Sequence, residues 1–484
     1  MMKTTAIIAC VILPVLLWGQ STYEVIVSDN VYIFNFSAIE SSDGALIVPV
    51  GRVDTIAWMP ANYKDGFLLK IDRYGDTTVK NYYFGDTTFI FNYNFSLGQD
   101  NSLITGIANS ENCAEFMLLL MKVNAQLEKL WVRFYIFPGY HNYEFDQAFI
   151  TPYGFILAGN YYEFQHAAAY PLFIKLDHSG NVIDSYSYPI GATERFEYLL
   201  APDSSQIWCF SSDGIKQSRG GGSLIVFDTA FNHLYSKPLS GDMIHLTTHW
   251  YSESTFLLGY DGQRPGAPYQ DDEHYIEIYD TSLNIMHSNY FGSPDTNETT
   301  AFRQSVDFNH PDSIYFASWK NYYFGYPPPT AVSWIVVGQV DSTLQPRFIH
   351  FIGGDTYYET AYIYACSDGG CFVGARRFHS ELALYDLLFF KLNNEGLLVG
   401  DTHPGLEIRQ ALVYPNPATD WLTVETALRD SRIEIYNTIG NLVLTYQING
   451  IKEHINVDHL LRGNYVYKVI SENGYCETGK FIKQ

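Results

Sequence analysis

From Val31 to Gly400 the chain alternates apolar and polar positions in short runs, and the runs recur with one period. Each unit reads as an alternating strand, a turn, a second apolar strand, a variable stretch, a third strand ending on an Asp or Asn turn, and a fourth strand that stops at a glycine. Period-two alternation bounded by turn residues is the signature of half-buried strands. The turn after the third strand is the clearest marker: Lys70-Ile71-Asp72, Lys122-Val123-Asn124, Lys175-Leu176-Asp177, Val226-Phe227-Asp228, Ile278-Tyr279-Asp280, Gln339-Val340-Asp341 and Lys391-Leu392-Asn393. Successive markers lie 52, 53, 51, 52, 61 and 52 residues apart. Asp and Asn fold back onto the backbone at such turns, and Gly75, Gly180 and Gly396 supply positive φ. Asp43-Gly44 and Asp368-Gly369 mark the turn between the first and second strands of their units, and Gly85, Gly139, Gly191, Gly241, Gly292, Gly353 and Gly400 close the units.

Four strands repeated seven times at this period predict a seven-bladed β-propeller over residues 22–400. A β-helix needs a shorter period, and stacked sandwiches give no even spacing over such a length. The seventh unit ends on only Leu397-Leu398-Val399, while Tyr23 to Ser28 is a spare strand ahead of the first unit. That N-terminal strand is therefore expected to complete blade seven. Asp401 to Gln410, with Pro404 and Gly405, reads as a linker.

The remainder, residues 411–484, carries four ordered motifs: Tyr414-Pro415-Asn416-Pro417, Ile433-Glu434-Ile435-Tyr436-Asn437-Thr438-Ile439-Gly440, Leu461-Arg462-Gly463-Asn464-Tyr465, and Lys480-Phe481-Ile482-Lys483. These resemble the C-terminal sorting domain of the type IX secretion system of Bacteroidetes. One departure is Asn441 where a basic residue usually follows the turn glycine. The resemblance implies a small immunoglobulin-like β-sandwich recognised by the outer-membrane translocon and its sorting machinery. It also implies cleavage on emergence, with the cargo released or attached to surface lipopolysaccharide. The same segment alternates at Leu422 and Val424, at Ile433 and Ile435, and at Tyr465, Tyr467 and Val469, as half-buried strands should. The repeats upstream are similar to propeller units that often precede such domains. The whole reads as an all-β protein.

At the other end, Lys3, the apolar run Ala6 to Leu17 and the break at Gly19-Gln20-Ser21 form the pattern of a secretory signal peptide, assigned to residues 1–21. Twelve apolar residues are too few for a spanning helix, and no later stretch is long enough, so no transmembrane segment is expected. The expected location is outside the cell or on its outer surface, reached through the periplasm. Five cysteines follow Cys10. In an oxidising compartment Cys366 and Cys371, on either side of a four-residue turn, are the candidate disulfide.

Composition narrows function mainly by exclusion. The 484 residues carry 52 acidic against 29 basic side chains, a formal charge of −23, which disfavours nucleic acid and anionic lipid as partners. No zinc-protease or Gly-x-Ser-x-Gly pattern occurs, and the phosphate-loop-like Gly474 to Lys480 has Phe481 where a hydroxyl belongs. His245 and His249 fall on shifted positions of a strand and read as ordinary strand histidines. No metal site, cofactor or catalytic set is assigned. What remains is topology: the long loops between second and third strands share a face with the blade-to-blade crossovers and are rich in aromatics. Trp58, Tyr162, Tyr269, Trp319, Tyr322 and Tyr323 offer rigid faces for sugar rings or peptide side chains, and Arg376 and Arg377 add carboxylate or sulfate recognition. The expectation is a non-catalytic module binding extracellular glycan or protein, with a propeller-type lyase or hydrolase as the alternative.

Overall fold

The computed structural model describes residues 22–484 apart from 30, 54–62, 99–100, 111–115, 138–141, 163–168, 190–195, 212–221, 240–242, 264–271, 293–295, 323–326, 329, 380–383, 399–405, 408–411, 427–430, 439, 451 and 472–475. Seven antiparallel sheets follow one another along the chain and pack each against the next, and the strand of blade one at Tyr32–Phe34 meets blade seven to close the ring. The chain is a seven-bladed β-propeller followed by a small β-sandwich. In every blade the first strand is innermost; these strands are Tyr32–Phe34, Thr87–Ser96, Asn142–Thr151, Phe196–Leu200, Ile244–Trp250, Glu298–Thr300 and Tyr358–Ala365.

The repeating marker is a side-chain-clamped turn. In each blade the Asp or Asn after the third strand accepts two backbone N–H bonds, from the residues two and four further on: Asp72 from Tyr74 and Asp76 at 2.8 and 2.9 Å, and Asp341 from Thr343 and Gln345 at the same distances. Asn124, Asp177, Asp228, Asp280 and Asn393 do likewise. The residue three after the marker takes left-handed φ in all seven blades, but only three are glycine. Leu127, Phe231, Leu283 and Leu344 adopt φ of +59°, +66°, +72° and +63°. Such a conformation costs a residue with a Cβ roughly 1–2 kcal/mol. The offset is burial, because Leu127, Phe231 and Leu344 are at most 3% exposed and wedge between blades. The lysine of the marker has a structural role too: Lys70 and Lys391 reach back 2.9 Å to Asp43 and Asp368 in the first hairpin of their own blades.

The ring closes as the incomplete seventh unit implies. Tyr23–Ser28 pairs antiparallel with Leu384–Leu392, and Tyr23, Val25 and Val27 lie inside the joint core of blades seven and one. Leu397 and Leu398 form no strand. Within the expected linker, Leu406–Glu407 adds a short parallel pairing to Val27 and Ser28. The expected disulfide is absent: Cys366 and Cys371 are free, buried thiols. The reason is geometric. Cys366 belongs to the core between blades seven and one, whereas Cys371 belongs to the core between blades six and seven, so their sulfurs lie on opposite faces of one sheet. Burial pushes the Cys371 thiol up to about 12 and Cys366 well above its ordinary value.

The C-terminal unit pairs Leu412–Tyr414, Trp421–Glu425 and Lys452–Asn456 in one sheet, and Leu442–Ile448, Ser431–Asn437, Gly463–Ser471 and Cys476–Lys483 in the other. Leu422, Val424, Ile433, Ile435, Tyr465, Tyr467, Val469 and Phe481 fill the space between, as the alternation predicts.

Candidate functional site on the propeller axis

One irregularity of the inner strands arms the axis. In blades two, three, five and seven the pairing of first and second strands slips by a bulge, between Phe91 and Tyr93, Phe145 and Gln147, Ile244 and Thr247, and Thr360 and Tyr362. In blade six the inner strand is interrupted over 301–305. A bulge adds a residue to one strand and re-aims its side chains. Gly159 stands opposite the bulge of blade three, where a Cβ would lie 2.1 Å from the Glu144 carbonyl oxygen, so the close approach requires glycine.

These irregular positions supply a layer that crosses the axis. Arg303 of blade six reaches Glu144 of blade three with paired contacts of 2.9 and 3.2 Å, and Asp146 lies 3.9 Å away. The guanidinium is flanked by the rings of Phe36 from blade one, Tyr93 from blade two and Phe302, at 4.8, 5.4 and 4.8 Å. Asp146 is in turn held by the fully buried Asn160 amide at 2.7 Å. Fork-to-carboxylate contacts with aromatic faces are what arginine offers and lysine does not.

Beyond this layer, toward the hairpins that join first and second strands, lies a cavity of about 560 Å³. Its wall is built from inner strands: Phe95, Gln147, Phe149, Glu197, His249, Trp250, Asp307 and Phe308 are on it. That volume suits a ligand of a few rings. Burial pushes the Asp307 carboxyl up, against the pull of His249 and of the Ala365 N–H that it accepts at 2.7 Å.

Toward the crossover face, the inner strand of blade five places His245 beside Phe302, with ring centres 6.0 Å apart. The imidazole Nδ1 is 2.7 Å from the buried carboxylate of Asp261. No motif spacing marks this pair: the bulge at His245 turns it to Asp261 on the second strand of the same blade, and Thr299 and Thr300 of blade six complete the carboxylate's partners. Asn92 and Asp146 are the extra residues of the bulges in blades two and three, and Arg303 lies within the interruption of blade six.

The predicted rim residues are placed differently from one another. Trp58, Tyr269 and Tyr323 lie outside the described residues, as does the side chain of Tyr162. Trp319 is 4% exposed and packs at a tilt against Tyr322, which is half-buried. Arg376 is bound to Glu359, donates to the Tyr32 hydroxyl and lies over Tyr385, while Arg377 pairs with Asp386 at 2.7 Å. Both guanidinium groups thus carry their own counter-charge. The candidate signal peptide is also outside the described residues.

In the sandwich the sorting motifs meet one another. Asn416 accepts the Ile482 N–H at 2.9 Å and so joins the Tyr414-Pro415-Asn416-Pro417 segment to Lys480 and its neighbours; Tyr465 stacks on Phe481 and donates to the Leu461 carbonyl at 2.7 Å. Gly440 turns at φ +83° between Ser431–Asn437 and Leu442–Ile448, and Gly463 begins the strand Gly463–Ser471. Residues 412–484 match the family described as the secretion system C-terminal sorting domain. The C-terminal sandwich is a type IX secretion sorting domain.

No curated protein matches the chain. Among solved structures, the acylaminoacyl peptidase of Pyrococcus horikoshii is 8% identical over 83% of this chain, with a TM-score of 0.43, and the chain spans only 59% of it. The polysaccharide lyase Uly1 is 8% identical, covered in full by 78% of this chain, with a TM-score of 0.45. PorZ, a surface component of the type IX secretion system of Porphyromonas gingivalis, is 9% identical over 94% of this chain and 100% of its own, with a TM-score of 0.17.

Proposed function

We propose that this propeller, exported by the type IX system, is an extracellular binding module whose ligand is a glycan seated in the axial cavity. One observation carries the reading: a cavity of about 560 Å³ walled by Phe95, Phe149, Trp250 and Phe308, with Gln147, Glu197 and Asp307 among them. Aromatic faces beside hydrogen-bonding groups suit the apolar faces and hydroxyls of sugar rings. The Arg303 layer gives the cavity a floor, so it behaves as a pocket and not as a through-channel. Tyr322, half-buried beside Trp319 on the crossover side, is a further contact for a longer ligand or a protein. Residues 1–21 direct entry to the periplasm, and the sorting domain then directs passage to the cell surface or beyond.

Two experiments test this. The mature chain on a glycan array retains specific saccharides, and Phe149→Ala or Gln147→Ala weakens the best of them by about tenfold; equal binding by wild type and both variants refutes the site. Removal of residues 411–484 traps the protein in the periplasm, and normal surface arrival of that truncation refutes the export route. A second, enzymatic reading is favoured by one observation, the His245–Asp261 pair.

A further inference from the structure

A second hollow adjoins the axial cavity on the hairpin side of the propeller. It lies between the first hairpins of blades four and five, has a volume of about 420 Å³, and has Pro202, Asp203, Gln206, Trp208, Trp250 and Glu253 on its wall. Leu200 and Trp250 are the last residues of the inner strands Phe196–Leu200 and Ile244–Trp250, and both also wall the axial cavity. Trp250 is therefore common to the two spaces, and the hollow leads outward from it to Thr281 in the marker turn of blade five.

Hydrogen bonds hold this groove in shape. The Trp250 indole N–H donates to the Leu200 carbonyl at 2.6 Å, which ties one hairpin to the other and fixes the ring. Trp208 packs edge-on to Trp250 with ring centres 5.2 Å apart, and its indole N–H donates to the Gln206 carboxamide oxygen at 3.3 Å, so the NH2 of that carboxamide is the end left to donate. Asp203 folds back to accept the Ser205 N–H and hydroxyl at 3.0 and 2.7 Å. A half-buried indole beside a carboxamide and exposed carboxylates offers a sugar ring both an apolar face and hydroxyl partners, and a preformed wall lowers the entropy lost on binding.

We propose that the groove is a second subsite for the glycan of the axial cavity, so that the ligand is an extended oligosaccharide without acidic groups. The inference rests on the glycan reading and adds chain length and charge to it. Length follows from the two volumes: each alone is that of a small-molecule site, and because they meet at Trp250, a chain seated in the cavity continues into the groove. Charge follows from the lining. Asp203 and Glu253 are on the groove and Asp146, Glu197 and Asp307 on the cavity, while Arg303, the one Lys or Arg among the described residues of either wall, is already paired with Glu144. A uronate or sulfated chain meets like charge there, whereas neutral hydroxyls donate to the same carboxylates.

The test titrates the mature chain calorimetrically with laminari-, manno- and chito-oligosaccharides of two and six residues, and with the hexamer of galacturonate as the anionic probe. In the series that binds, the hexamer is expected to bind at least about tenfold tighter than the dimer. Gln206→Ala combined with Glu253→Ala, both at the mouth of the groove, removes most of that advantage while dimer affinity and thermal unfolding stay as in wild type. Gln147→Ala, in the axial cavity, weakens both lengths alike. Equal affinity for dimer and hexamer, full hexamer affinity in the double variant, or galacturonate bound as tightly as the neutral hexamer would each overturn the subsite and leave the axial site standing. Absence of binding in every series would overturn the glycan reading, and the subsite with it.

Discussion

The tie between Arg303 and Glu144 spans 159 positions of sequence and joins blade six to blade three across the axis. Its worth follows from its surroundings. The Arg303 side chain is 8% exposed and Glu144 18%, so the pair is mostly desolvated and little screened by salt. At about 3 Å and an effective dielectric near 20, the Coulomb attraction is roughly 5 kcal/mol, and desolvation of both ions offsets much of it. A net coupling of about 2 kcal/mol remains. Arg303→Met keeps the volume between Phe36, Tyr93 and Phe302 but removes the positive charge that faces Glu144 and Asp146, and is expected to cost about 3 kcal/mol. Glu144→Gln keeps an acceptor and leaves Asp146 near the guanidinium, and is expected to cost about 1–2 kcal/mol. The double variant should then be only about 2–3 kcal/mol less stable than wild type, since the second change removes a charge whose counter-ion is already gone. Urea unfolding of the four proteins, followed by tryptophan fluorescence in low salt and in 1 M NaCl, measures the cycle. Additive costs, within about 0.5 kcal/mol, would show that no tie crosses the axis.

His274 predicts a pH effect with a definite sign. Its folded pKa is lowered to about 4 by burial, so the unfolded chain binds the proton first; stability is full above about pH 6.5 and falls by roughly 3 kcal/mol toward pH 4, and His274→Leu should flatten denaturation midpoints over that window. Phe231 holds φ of +66° while stacking on Phe173 at 5.3 Å. Phe231→Ala loses about 3–5 kcal/mol of packing and keeps the strain, so Phe231→Gly is expected to be more stable than Phe231→Ala by about 0.5–1 kcal/mol, the reverse of the usual order, as read by denaturant midpoints. Val27 is fully buried in the closing strand, so Val27→Asp places an unpaired charge in the joint of blades seven and one. It should cost more than about 4 kcal/mol and make the folded propeller sensitive to limited trypsin digestion; unchanged resistance would mean the N-terminal strand does not close the ring.

What was readable in the sequence was local. An Asp or Asn that accepts N–H groups two and four residues on needs no distant partner, so Asp72, Asp177 and Asp341 mark their blades without an alignment. The missing fourth strand of the last unit pointed to Tyr23–Ser28 for the same reason, since a sheet of known period leaves one place unfilled. The positive φ at Leu127, Phe231, Leu283 and Leu344 was not readable, because propensity assigns such positions to glycine and only the packing between blades overrides it. The cysteine pair misled through a rule that holds for sequence distance alone. Residues flanking a short hairpin turn are close in backbone, yet Cys366 and Cys371 project to opposite faces of the sheet.

The axial chemistry escaped for a different reason. Aromatic loops look like binding surface because composition is all a sequence displays, and by that measure Trp319 and Arg376 rank high. Their chemistry is already taken up, Trp319 by burial and Arg376 by Glu359 and Tyr385. Glu144, Asp146, His245 and Arg303 look ordinary along the chain, and they acquire meaning only through bulges and interruptions of the inner strands. A regular inner strand would direct these side chains into the cores between blades, where unpaired charge is costly. Breaking the pairing lets each blade present a polar group to the axis while its apolar neighbours stay packed. Function in this propeller is therefore to be sought where the repeat departs from regularity, at the bulged positions of blades three and five and the interrupted strand of blade six.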